Sequence, residues 1–181
     1  MKISKSELIE MDACELGLKR FIEQTNNTED SVEVTSLVGG LNTHEDLLWL
    51  ASKKIPKRRI VRFAYDCALI VAHHIKPHTD NYDLIVDFLN NASSDDIADD
   101  FDDINKDIRD ELWEKSFSFI EKARYSRASC ANTAVSFAFA AYSAKYSGSA
   151  KIHAINVARS AQHVCGSSCI DDLLREMFNE F

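Results

Sequence analysis

The sequence predicts an all-α fold: a single compact multi-helix domain spanning residues 1–181, with antiparallel helix packing and an Ala-rich C-terminal third. Three observations carry that prediction. Only 5 Gly and 2 Pro occur in 181 residues, too few for the many tight turns of a sandwich or barrel. Apolar residues recur at three-to-four spacing, and no segment sustains period-two alternation between hairpin turns. The composition, 45% apolar and 28% charged, is ordinary for a globular chain, and the length is ample for a core.

The elements follow in order, roughly eight helices by apolar periodicity. Leu8 to Gln24 reads as a first helix, with Leu8, Ala13, Leu16 or Gly17, and Phe21 on one face; Thr25-Asn26-Asn27-Thr28 ends it. Val32, Val34, Leu37 and Val38 form a short apolar segment before the Gly39-Gly40 break. Thr43 is an N-cap, and Asp46 completes a capping-box-like pattern ahead of Leu47-Leu48-Trp49-Leu50. Pro56 separates that helix from one over Lys57 to Ile75, whose buried stripe is Ile60, Phe63, Ala64, Cys67, Val71 and Ile75. Pro77 closes it, and Tyr82, Ile85, Phe88 and Leu89 mark another.

Ser93 or Ser94 then caps a helix carrying Phe101, Ile104, Ile108, Leu112 and Phe119 on one side. Farther on, Ala131, Ala134, Ala138 and Ala141 make a small-residue stripe beside Val135, Phe139, Tyr142 and Tyr146, a pattern that lets helices approach closely. The stripe is suited to internal packing or to a homodimer. Ser147-Gly148-Ser149 breaks the chain before a helix to Cys165, Gly166 stops that helix, and Ile170, Leu173, Leu174, Met177 and Phe178 define the last.

Charge is concentrated in one place. Asp95, Asp96, Asp99, Asp100, Asp102, Asp103, Asp107, Asp110, Glu111 and Glu114 face only Lys106 and Arg109, so ten carboxylates against two cations give −8, the formal charge of the whole chain. On an amphipathic helix this is either a solvated face or a docking surface for a protein partner with a basic surface, because such a field steers association. Spaced carboxylates also suit a nucleic-acid mimic. Lys53, Lys54, Lys57, Arg58, Arg59 and Arg62 form an opposing basic cluster, better matched to an internal or inter-subunit salt bridge with the acidic stretch than to direct nucleic-acid binding.

Chemistry-bearing motifs are weak. Asp103, Asn105, Asp107, Glu111 and Glu114 fall on EF-hand loop positions, but Ile108 stands where the loop needs Gly and Asp110 where it wants an apolar residue. His73, His74 and His78 cluster at a helix end, where cationic His complements the dipole. His163, Cys165 and Cys169 lack zinc-site spacing. The 5 Cys are expected to be free thiols acting as small hydrophobes. With no phosphate loop, dinucleotide turn or nucleophile elbow, the expectation is no enzyme, no cofactor and no metal. The N-terminal residues lack a signal-peptide core, and no apolar run is long enough to span a membrane, so a cytoplasmic location is expected.

Two stretches carry a resemblance. Asp12-Ala13-Cys14-Glu15-Leu16-Gly17-Leu18-Lys19-Arg20-Phe21, followed by Asp46-Leu47-Leu48-Trp49-Leu50-Ala51, resembles a module of many bacterial and phage proteins. Phe63 to Ala68, Ala123 to Lys145 and Ala154 to His163 resemble the all-helical immunity proteins of bacteria. Where that family has a basic Arg-Pro-Arg turn, this chain has Asp80-Asn81-Tyr82-Asp83. The resemblance implies an all-α cytosolic protein that binds and neutralises a cognate toxin. A second expectation is a phage-encoded inhibitor of a host defence system, acting as a nucleic-acid mimic.

Overall fold

The computed structural model describes residues 1–91, 127–143 and 150–179. Among them are eight α-helices: α1 (Lys5–Glu10), α2 (Glu15–Gln24), α3 (His44–Lys54), α4 (Lys57–Ala72), α5 (Tyr82–Asn91), α6 (Arg127–Ser143), α7 (Ala150–Cys165) and α8 (Ser167–Asn179). The chain is predominantly helical, as the sequence predicts. A two-residue antiparallel ladder, β1 (Lys2–Ile3) with β2 (Val32–Glu33), is the addition that periodicity gave no sign of.

The predicted first helix is two. Ser4 caps α1 in a full capping box with Glu7, a Ser-x-x-Glu spacing visible in the sequence. Asp12 then turns left-handed at φ 59°. The Ala13 amide donates to the Leu8 carbonyl (3.0 Å) and the Asp12 amide to Ile9 (3.1 Å), a Schellman closure. Cys14 restarts the helix as the N-cap of α2. Asn26, at φ 52°, ends α2 the same way, with the Asn27 amide on the Ile22 carbonyl at 2.8 Å.

Helix α4 stops at Ala72 instead of Ile75; its last carbonyls are taken by tightened bonds from His74 to Val71 and from Ile75 to Ala72 before a 3₁₀ turn over Lys76–His78. Gly166 ends α7 at φ 88°, a conformation that favours glycine.

The centre of the molecule is the packing of α4, α6 and α7 on one another. Ala64 and Ala68 of α4, Ala131, Ala134, Ala138 and Ala141 of α6, and Ala154, Ala158 and Ala161 of α7 are all fully buried. Small side chains on three facing helices let the backbones close up. The Ala stripe is therefore packed inside the chain. Larger groups fill the margins: Phe139 stacks on Phe88 at 4.4 Å, and Phe88 meets the edge of Tyr65 at 5.8 Å. That row joins α6, α5 and α4. Helix α8 lays Ile170, Leu174 and Phe178 against α4, α7 and the 3₁₀ turn Val34–Leu37. Among the described residues no helix is long and apolar enough to cross a membrane.

Candidate functional site

The α1–α2 corner meets α3 through one carboxylate. Asp46 accepts from the Thr43 amide at 2.9 Å, while its own amide donates to Thr43 Oγ1 at 3.2 Å, so the predicted capping box is present. The same carboxylate takes both arms of Arg20, Nε to Oδ2 and Nη2 to Oδ1, each at 2.8 Å. Burial pulls the Asp46 carboxyl upward, yet the Arg20 guanidinium and the Thr43 amide and hydroxyl together outweigh it and hold it below the usual range. Arg20 is raised in turn, chiefly by its bond to Asp46.

Gly17 makes the approach possible: a Cβ there would lie 3.0 Å from Asp46 Oδ1 and 3.3 Å from Cys14 Sγ. The stretch Asp12 to Phe21 and the stretch Asp46 to Ala51 are thus one joint, with Phe21 (1% exposed) and Leu50 as its buried anchors.

Beside the joint lies a groove of about 450 Å³. Ala13, Leu16 and Gly17 form one wall, Trp49 and Glu45 of α3 another, and Lys151 and Ile155 of α7 the far side. The sequence places Leu16 or Gly17 on the apolar face; Gly17 lies against Asp46, and Leu16 stands 65% exposed. The break at Asp12 resets the helical phase, so α2 buries Phe21 and turns Leu16 outward.

Five large apolar side chains are exposed among the described residues: Ile9, Leu16, Leu41, Leu84 and Ile152. Of these, Leu16 alone lines this groove, and Leu41 lines an adjoining polar cleft. Leu84 sits on α5, which contributes to neither.

A polar cleft of about 410 Å³ adjoins the groove and shares Asn42, Glu45 and Ile155 with it. Here His44 Nε2 meets Asp171 Oδ1 at 2.7 Å, both side chains largely buried, and Arg159 pairs with Glu45. Arg175 Nη2 donates to the Val38 carbonyl at 3.1 Å. Gln24 clamps the approach loop: its Oε1 accepts from the Leu41 and Asn42 amides at 2.8 and 3.1 Å, and its Nε2 donates to the Ser36 carbonyl at 3.1 Å. None of this was legible locally, since His44 and Asp171 are 127 residues apart. The cleft is a set of side-chain contacts that holds the loop and α3 to α7 and α8.

The predicted docking residues, Asp95, Asp96, Asp99, Asp100, Asp102, Asp103, Asp107, Asp110, Glu111 and Glu114, lie outside the described residues, as does the EF-hand-like pattern within them. Members of the basic cluster do have local acceptors: Lys54 Nζ reaches Glu7 at 2.9 Å, Arg62 reaches Asp66 at 2.9 Å, and Lys53 sits 5.7 Å from the Trp49 ring centre.

The His73 and His74 rings lie 4.0 Å apart, tilted by 38°. Burial and the neighbouring His73 push His74 downward, which disfavours the cationic form expected there. Cys165 Sγ donates to the Ala161 carbonyl at 3.3 Å and Cys169 Sγ to the Cys165 carbonyl at 3.4 Å. Burial and the Cys169 thiol raise Cys165 to about 11, which opposes the thiolate that a metal ligand requires. Among the described residues no three His, Cys, Asp or Glu side chains gather as a metal site.

Cys14 departs from the expectation that it is a core hydrophobe. It is exposed, lines the groove, and accepts from the Gly17 amide at 3.4 Å. Cys67 is fully buried and its thiol is pushed well up by burial. Titration with an aromatic disulfide at pH 8 is therefore expected to modify Cys14 first and Cys67 only after denaturant is added. Peptide mapping that finds Cys67 labelled as fast as Cys14 would refute this packing.

Comparison with known protein families, curated proteins and solved structures found no match.

Proposed function

We propose that this chain is a non-enzymatic binding protein, an immunity-type antagonist that captures and neutralises a protein partner with a basic surface. The observation that carries the reading is the apolar groove at the joint of α2, α3 and α7, where Leu16 stands 65% exposed near Trp49 and Ile155. Exposed apolar surface gathered in one place and rimmed by charge is the usual mark of a protein contact. The joint beneath it is rigid: a bidentate Arg20–Asp46 pair, a capping box and buried Phe21 fix the helices that form its walls. A preordered surface loses little entropy on binding.

The resemblance to bacterial immunity proteins and the ten carboxylates between Asp95 and Glu114 supply the toxin-directed, basic character of the partner. Growth rescue tests this reading. The chain is co-expressed with the product of its neighbouring gene, as the parent, as Leu16→Asp, and with Asp99, Asp100, Asp102 and Asp103 changed to Asn. The parent is expected to restore growth and co-purify with that product, and both variants to retain it about tenfold less well. No rescue and no co-purification by the parent would sink the antagonist role; full rescue by Leu16→Asp would remove the groove from it.

A further inference from the structure

We infer that Cys165 and Cys169 form a redox-active pair, which closes to a disulfide across the α7–α8 corner by exchange with a small-molecule disulfide of the glutathione class. The pair lies outside the groove and needs no binding partner. Helix α7 ends at Cys165, Gly166 turns the chain at φ 88°, and Cys169 follows in the first turn of α8. Both sulfurs lie over that turn: Cys169 Sγ is 3.4 Å from the Cys165 carbonyl oxygen, and Cys165 Sγ is 3.6 Å from the Gly166 carbonyl oxygen. The two thiols also meet directly, since the Cys169 side chain hydrogen-bonds Cys165. A bridge forms without strain only between side chains that already converge. A Cβ on Gly166 would meet nothing within 4 Å, so the turn between the two thiols has room to adjust.

Access separates this pair from the other thiols. Gly166, Ser167 and Ser168 are exposed and both cysteines are half-buried, so a small oxidant reaches the corner from solvent. Cys67 is fully buried and out of reach. Burial and the Cys169 thiol raise Cys165 to about 11. At neutral pH the dithiol therefore gains nothing from ionising at Cys165, a gain that would hold the pair reduced. The same retained proton makes closure slow, at a rate that rises with pH.

The exchange runs in two steps. One protein thiol loses its proton, and its thiolate attacks the disulfide of oxidised glutathione, expelling one glutathione thiolate. The second protein thiol, deprotonated in turn, attacks the protein sulfur of the mixed disulfide and expels the other glutathione. The protein gains one S–S bond, and two glutathione thiols carry away its two protons. The new bond fastens a corner that Gln162 Nε2 and Ser167 Oγ already span at 2.7 Å, beside the polar cleft that both residues line.

The test uses the full chain with Cys14→Ser, a change that keeps a good N-cap on α2. It is equilibrated with reduced and oxidised glutathione at several ratios, folded in buffer and unfolded in urea. Peptide mapping by mass spectrometry is expected to find one bridge in the folded chain, Cys165–Cys169, with Cys67 reduced. The glutathione ratio at half-closure gives the effective concentration of one thiol toward the other. That concentration is expected to be about tenfold or more higher in the folded chain than in urea, and by linkage the bridge then favours folding by the same factor. Cys169→Ser should leave only a glutathione adduct at Cys165. Equal effective concentrations in the two states would reduce the pair to neighbours in sequence and overturn the inference. So would glutathione adducts without a bridge, or a bridge from either cysteine to Cys67.

Discussion

Replacing Phe139 by Ala is expected to cost about 3–5 kcal/mol of stability, which corresponds to a fall in melting temperature of roughly 6–20 °C. Phe139 is 2% exposed and stacks on Phe88 with an interplanar angle of 13°. Its loss removes buried area, leaves a cavity and strips an aromatic partner from the row that joins α4, α5 and α6. The neighbouring Ala residues of α6 are already fully buried against fixed helices, so the cavity has little means of collapse. Phe139→Leu should recover much of the loss, and Phe137→Ala, at a half-buried position, should cost less. Thermal unfolding followed by circular dichroism measures all three. A drop of less than about 2 °C for Phe139→Ala would show that the aromatic row does not hold these helices together.

The second large effect centres on Asp46. Asp46→Ala removes the carboxylate half of the α3 capping box, leaving Thr43 as N-cap, and leaves the Arg20 guanidinium without its carboxylate, at an expected cost of about 2–3 kcal/mol at neutral pH. Its pH dependence has a definite sign. The folded carboxyl is held below its ordinary value of 3.8, so its charge-dependent stabilisation is fully present above that value. It is lost as pH falls through the lower folded value, where the native state must take up a proton. Urea midpoints of parent and variant should therefore differ most at neutral pH and converge in acid. A gap that stays constant down to pH 2 would assign the loss to packing instead of charge. Arg62→Ala, which removes one half of an exposed pair with Asp66, should shift stability by a few tenths of a kcal/mol.

Both effects concern the scaffold under the groove, and the comparison shows where stability and recognition divide. Phe139, Phe21 and Asp46 hold helices in place; Leu16, Ile9 and Ile152 contribute little to that task because they remain exposed. Substitution of Leu16, which lines the groove, is expected to change binding while leaving the melting temperature nearly unchanged.

Local chemistry determined the helices themselves. Thr43 with Asp46, Pro56, Asn26 and Gly166 mark starts and stops through hydrogen-bond capacity and allowed backbone angles, properties that each residue carries wherever it sits. Periodicity placed Ile60, Phe63, Ala64, Cys67 and Val71 inside, along with the Ala stripe of α6, because a helix repeats its faces at a fixed spacing. Tertiary structure decided the rest. Whether the first periodic run would be one helix or two depended on Asp12 accepting a left-handed turn, which brings Gly17 against Asp46 across 29 residues. That turn set Leu16 in the groove and made Cys14, expected as filler, an exposed cap. The pairs His44–Asp171 and Arg159–Glu45 join positions more than a hundred residues apart. Side-chain pairing and the outward face of a helix depend on what packs beside it, and only the assembled chain supplies that neighbour.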